Sequence, residues 1–205
     1  MSSADEAGAI VLVGGRSSRM GQPKAALDFG GVPLLTRIVI ELKSRFDEIV
    51  IVAAPRSESQ PPIEIPGLKI VHDETAFGGP LDALRRGLDA LEHENAFACA
   101  CDLPLLSSKV AMRLVAMLDN FDAVIPEIAG LLQPLHAVYR KRCARAIQSL
   151  ASTGEKRLLA TARVINGRKV DEAELREIDP ELHSFFNINT PDDYQRALKL
   201  AGCGG

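Results

Sequence analysis

The sequence predicts an α/β protein, a single three-layer domain with a mostly parallel central sheet, and three observations predict it. Short apolar runs alternate with helical patterns from residue 9 to about residue 123, the mark of βαβ units. Several of those runs are apolar at successive positions, as strands buried on both faces are. The chain has 205 residues, enough for one α/β domain with a full core and short for two. The domain is expected over residues 8–201, with flexible tails at 1–7 and 202–205.

The first strand is Ile10-Val11-Leu12-Val13, and it runs into Gly14-Gly15-Arg16-Ser17-Ser18-Arg19-Met20-Gly21-Gln22-Pro23-Lys24. Glycines without a Cβ let a backbone come close to a ligand with its N–H groups pointing at anionic oxygens. Arg16, Arg19 and Lys24 add three positive charges with no acid among them. The run is neither a P-loop nor a Gly-x-Gly-x-x-Gly fingerprint. The glycine pair alone would be a basic βα turn; with the later Arg and Lys it reads as a nucleotide site.

A helix is predicted over 34–46, with Pro33 at its start and Leu34, Leu35, Ile38, Leu42 and Phe46 as its stripe. Strands follow at 49–53 and 68–71, separated by a proline- and serine-rich loop over 54–67 that is a lid or a surface excursion. The third strand ends in His72-Asp73-Glu74, and Gly78-Gly79-Pro80 opens the next helix. Parallel sheets bind ligands beyond the carboxyl ends of their strands, which puts Asp73, Gly79 and Pro80 near Gly14 and Gly15.

The apolar strand at 96–101 delivers Asp102-Leu103-Pro104 to the same edge. An acid directly after a central strand is costly unless it is solvated, paired or on a metal. It either caps the next turn, with Ser107 or Ser108 starting a helix at 109–119, or holds Mg²⁺, a hard cation that takes one or two carboxylates beside substrate phosphates. Next to a phosphate loop, Mg²⁺ is favoured.

Further strands are expected at 123–126 and 133–139, and helices at 140–151 and 155–162. Asn166-Gly167 is a hairpin-turn signal, and 171–177 is suited to a helical turn. A strand over 185–189 would set Asn187 and Asn189 on one face, and Thr190-Pro191-Asp192-Asp193 starts the last helix with a cap, a proline and two acids.

Composition narrows the class. Hydrophobic content of 46% with 25% charged residues is ordinary for a globular protein, and a net charge of −3 argues against a nucleic-acid binder. The four cysteines show no Cys-x-x-Cys spacing; Cys99 and Cys101 share a strand face and read as small buried hydrophobes. There is no membrane-spanning run and residues 1–7 are polar, so a cytoplasmic protein is expected.

The run from Leu12 to Lys24 resembles the signature loop of the MobA-like nucleotidyltransferases, and the chain is most like their molybdenum cofactor guanylyltransferase branch. The likeness extends to Val71-His72-Asp73, Gly79-Pro80-Leu81, Cys101-Asp102-Leu103-Pro104, Gln133-Pro134-Leu135 and Asn187-Ile188-Asn189-Thr190-Pro191. It implies a Rossmann-like, nucleotide-diphospho-sugar transferase fold and transfer of GMP from GTP to Mo-molybdopterin. It further implies nucleotide contacts from Leu12, Val13, Gly14, Gly15, Lys24, Asp73, Gly79 and Pro80, and Mg²⁺ on Asp102. Arg19, Lys24 and Asp102 would serve catalysis, and Asn187 and Asn189 would face the pterin acceptor. Expected partners are GTP, Mo-molybdopterin and other molybdenum cofactor biosynthesis proteins, with the chain a monomer or weak homo-oligomer. Two departures stand out: Ala53-Ala54-Pro55-Arg56 lacks the family's Asn, and Asp82-Ala83 replaces Ala-Gly after Gly79-Pro80-Leu81. The retained Gly-Pro favours GTP over CTP. The alternatives are a relative using CTP or another phosphorylated acceptor, and a catalytically silent nucleotide-binding protein.

Overall fold

The computed structural model describes residues 6–14, 23–55, 65–72 and 79–203. β1 (Gly8–Val13) lies between β2 (Ile49–Ala53) and β4 (Asn95–Ala100), parallel to both, and β3 (Lys69–His72) adds a parallel edge beyond β2. β1 and β2 are buried at every position, as their continuous apolar sequences require. Beyond β4 the sheet changes direction. β5 (Ala123–Ile128) and β7 (His136–Arg140) pair antiparallel, β7 pairs antiparallel with β4, and β8 (Gly167–Val170) runs parallel to β5. With β6 (Leu131–Leu132) the order is β3-β2-β1-β4-β7-β5-β6, and β8 pairs with β5 off this path.

Alternation along β1 builds two cores. Ala9, Val11 and Val13 point to a layer that includes α1 (Leu34–Lys43), α3 (Ser108–Ala116), α5 (Glu172–Arg176) and α6 (Pro191–Leu200). Ile10 and Leu12 point to α2 (Gly79–Ala90) and α4 (Cys143–Ser152). A single α/β domain of three layers results, with its most buried strands at the centre. The predicted stripe of α1 is buried, though the helix stops at Lys43 and Phe46 reaches the core from a turn, its N–H bonded to Leu42 O at 2.9 Å. Among the described residues no helix is long and apolar enough to cross a membrane.

One hairpin is unannounced by the sequence, and four expectations need correction. The Ala129-Gly130 turn, both residues in the left-handed region (φ 50° and 75°), joins β5 to β6 in a hairpin that carries no Asn-Gly signal. The cost of alanine there is offset by Glu172, whose Oε1 accepts the Ala129 N–H at 2.7 Å. Asn166-Gly167 makes no hairpin, because Gly167 opens β8 parallel to β5. The strand expected over 133–139 starts only at His136, and the helix expected at 155–162 is a 3₁₀ stretch, Leu158–Arg163.

Residues 185–189 form no strand. Leu182 adopts φ 54°, and Asp179 clamps the turn by accepting His183 N–H at 3.1 Å and Ser184 N–H at 2.8 Å. The chain then enters a 3₁₀ turn, His183–Phe185. The Thr190–Asp193 capping box at α6 forms as predicted, as does the helical turn of α5, capped by Asp171.

Gly87 of α2 packs against β1 so closely that a Cβ would stand 2.5 Å from Ile10 Cγ2. A β-branched side chain on a strand has little freedom to yield. Gly87→Ala is therefore expected to destabilise by about 1–2 kcal/mol, overpacking of roughly 1–3 kcal/mol outweighing a helix-propensity gain of up to about 1 kcal/mol. Urea unfolding checks this, and a more stable variant would show that β1 and α2 are loosely packed.

Candidate functional site

Leu12 and Val13 end β1 and Gly14 follows, with nothing among the described residues within 4 Å of where a side chain would stand. The exit is stitched to its neighbours: Cys101 N–H donates to Leu12 O at 3.1 Å, and Ala54 N–H to Val13 O at 3.2 Å. β4 ends at Ala100 and Asp102 follows two residues later, its carbonyl accepting Ile188 N–H at 2.9 Å. Arg37 of α1 holds the next turn by donating to Pro104 O at 2.9 Å.

Lys24 opens a short 3₁₀ turn, Lys24–Ala26, behind Pro23. Its ammonium donates to Asp102 Oδ2 at 2.9 Å and to Asn189 Oδ1 at 3.0 Å, with the Lys24 and Asp102 side chains each 20% exposed. Asp102 Oδ1 is buried and has no hydrogen-bond partner among the described residues. A buried carboxylate oxygen left unmatched is expensive, and a cation is its natural complement. Among the described residues no group of three or more His, Cys, Asp or Glu gathers to hold a metal. A lone hard oxygen fits Mg²⁺, which keeps its other positions for water and phosphate oxygens. Asp102 does not cap the turn that follows, since Oδ2 takes Lys24 and Oδ1 has no partner among the described residues; Ser107 stands at the N-cap of α3 and Ser108 opens it, as expected.

Beside Asp102 lies a cavity of about 250 Å³ whose wall includes Gln133, Pro134, Leu135, His136, Phe185 and Asn187. The Tyr139 hydroxyl donates to Pro134 O at 2.9 Å and fixes the rim. Asn189 meets Lys24, whereas Asn187 lines the cavity and donates to Phe185 O at 3.3 Å; without a strand the two amides divide the work.

His136 was not singled out in the sequence. It is 1% exposed, with Phe97 and Phe185 rings against it at 5.2 and 4.2 Å, and Nε2 lies 3.2 Å from Ser184 Oγ. Burial pushes its pKa down to about 3, so it is a neutral imidazole. Its only sequence signal is a polar residue at the head of the run Ala137-Val138-Tyr139.

Gly79 and Pro80 open α2. Gly79 needs its φ of 79°, and a Cβ there would stand 3.1 Å from Lys156 Cβ. Asp82, at the departure from the family pattern, is engaged by Arg85 at 2.8 Å and Arg86 at 2.9 Å. Burial raises its pKa, but the bonds and charges of Arg86 and Arg85 prevail and hold it below the usual carboxylate range. Gly15, Arg16, Arg19 and Asp73 lie outside the described residues.

Residues 9–169 match the family model described as the MobA-like NTP transferase domain. The chain belongs to this family. Its MobA-like relatives include a probable molybdenum cofactor guanylyltransferase of Pelotomaculum thermopropionicum, 32% identical over 196 residues, with 96% of this chain and 94% of that protein covered. A molybdenum cofactor guanylyltransferase of Desulfosudis oleivorans is 34% identical over 192 residues, covering 92% of each. Among solved structures, the molybdopterin-guanine dinucleotide biosynthesis protein A of Archaeoglobus fulgidus superimposes with a TM-score of 0.79 at 26% identity, covering 95% of this chain and 98% of that one. As a MobA-like protein, the chain is a nucleotidyltransferase.

The buried imidazole has a pH signature. Folded His136 takes up a proton only near pH 3, whereas an unfolded histidine does so near 6.5. Between those values the unfolded state binds more protons, so this stability is present above about pH 6.5 and is lost as pH falls towards about 3. At about 1.4 kcal/mol per pH unit, His136→Phe is expected to lose about 2 kcal/mol of the wild-type stability difference between roughly pH 7 and pH 5. Urea melts at the two pH values measure it, and identical pH dependence in both proteins would contradict a buried neutral ring.

Proposed function

We propose that the chain is a molybdenum cofactor guanylyltransferase, moving GMP from GTP to the terminal phosphate of Mo-molybdopterin and releasing pyrophosphate. The observation that carries this reading is the meeting of Lys24, Asp102 and Asn189 at the carboxyl edge of β1 and β4, beside a cavity that holds Asn187. The names of the relatives support the guanylyl donor and the cofactor substrate.

In this reaction an acceptor phosphate oxygen bonds to the α-phosphorus as the α–β bridging bond breaks, and the electron pair leaves with pyrophosphate. The attacking oxygen is already anionic near neutral pH, so no side chain need remove a proton. What remains for the protein is positioning and charge balance. Lys24 supplies a fixed positive charge to phosphate oxygens at the end of β1, and Asn189 orients that ammonium from the acceptor side. The backbone of Leu12, Val13 and Gly14 forms the shelf for the nucleotide, and the signature motifs assign Gly15, Arg19 and Asp73 to nucleotide binding with it. Gly79 and Pro80, at the positive end of α2, serve the nucleoside side. Mg²⁺ held at Asp102 Oδ1 would neutralise charge on the triphosphate and its leaving group. The reaction belongs in the cytoplasm, with other cofactor-biosynthesis proteins as donors or receivers.

Lys24→Ala is expected to lower turnover about 10²-fold or more, the scale of losing one preorganised donor to developing negative charge. Steady-state assays of pyrophosphate release test it; near-normal turnover would remove Lys24 from the reaction. For Asp102→Asn, calorimetry with GTP is expected to show Mg²⁺-dependent binding abolished. The wild-type protein should prefer GTP over CTP, ATP and UTP in the same titrations, and a flat response to all four would favour a silent nucleotide-fold protein.

A further inference from the structure

Two buried side-chain polar atoms lack a hydrogen-bond partner among the described residues, Asp102 Oδ1 and His136 Nδ1, and both residues line the same cavity. Buried polar groups are nearly always satisfied, so two orphans at one cavity point to something that binds there. Asp102 has its complement in a cation. His136 has none so far.

Two tautomers of the ring fit its contact with Ser184. Ser184 Oγ accepts Ser107 N–H at 2.9 Å and lies 3.2 Å from His136 Nε2, a contact in which either atom can donate. When the Ser184 hydroxyl donates to Nε2, the proton of the neutral imidazole sits on Nδ1. The ring cannot easily turn away, since Phe97 and Phe185 pack against it. In that tautomer Nδ1–H is an uncharged donor without a partner among the described residues, on a ring that lines the cavity.

We propose that His136 is a specificity residue of the acceptor subsite, donating Nδ1–H to a carbonyl oxygen or ring nitrogen of a planar heterocyclic acceptor. This rests on the reading of the cavity as the acceptor's place. A phosphate would be met by charge, and among the described residues Lys24 pairs with Asp102 but is not among the residues that line the cavity. The cavity wall instead carries the apolar side chains of Pro134, Leu135, Leu158 and Phe185, interrupted by the amides of Gln133 and Asn187. Such a wall suits a heterocycle whose edge carries neutral acceptors. Because burial keeps the imidazole uncharged down to about pH 3, the donor is present throughout the physiological range.

Two substitutions separate the ring's nitrogens. The amide nitrogen of Asn reaches roughly to Nδ1 and that of Gln roughly to Nε2. His136→Gln is expected to raise the KM for Mo-molybdopterin about tenfold while the KM for GTP changes less than about twofold. His136→Asn should keep the acceptor KM within about threefold of wild type. As a measurement on the unaltered protein, ¹⁵N NMR of the histidine rings should show His136 protonated at Nδ1, with that resonance moving on addition of acceptor and not of GTP. Equal KM changes in the two variants, or an Nε2-protonated ring in the wild type, would overturn the proposal alone. A wild-type protein that binds GTP but transfers nothing to Mo-molybdopterin would overturn the guanylyltransferase reading and this proposal with it.

Discussion

The working edge of this protein depends on how the chain leaves β4. Asp102 binds the Lys24 ammonium through its side chain and the Ile188 N–H through its carbonyl, while the preceding Cys101 N–H is held by Leu12 O. Segments 165 residues apart, those of Lys24 and Asn189, are closed on one another across this acid. A charge-assisted bond of this kind contributes about 1.5–3 kcal/mol. Its larger consequence is that a half-buried acid and a half-buried base are matched before any ligand arrives, so neither charge stands alone in the fold.

That arrangement can be held because the strands beneath it cannot move. β1, buried at every position, is gripped by parallel ladders on both sides and packed by helices above and below. Gly87 lets α2 come down onto Ile10, and Arg37 reaches from α1 to the Pro104 carbonyl. Rigidity is built in the layers and spent at the rim.

The legible parts of the sequence were those in which local pattern and tertiary environment agree. Continuous apolar runs fixed β1 and β2, and the Thr190 cap with its proline and acids fixed the start of α6. Lys24, Asp102 and Asn189 were nameable from motif spacing, and the structure brings them within hydrogen-bond distance. What escaped were features decided by distant partners. The β5–β6 hairpin uses Ala129 where its turn would ask for asparagine, and depends on Glu172 of α5. Residues 185–189 have strand-like alternation but are turned aside by Asp179 and the left-handed Leu182. His136 looked like one more strand residue, because nothing local says that Ser184 and an adjoining cavity await it.

β7 runs against β4, and this reversal shapes the rim. The parallel half of the sheet, β3-β2-β1-β4, brings strand ends to the rim, while β7 brings its beginning there, with Leu135 and His136. The rim is thus assembled from two stretches of chain, one carrying Leu12 to Asp102 and the other Gln133 to Asn189. The two stretches are coupled through one ladder, in which His136 of β7 lies opposite Cys99 of β4. In the proposed reaction the first stretch would serve the nucleotide and the second the acceptor, so the molecules to be joined would be brought together by strands of one sheet.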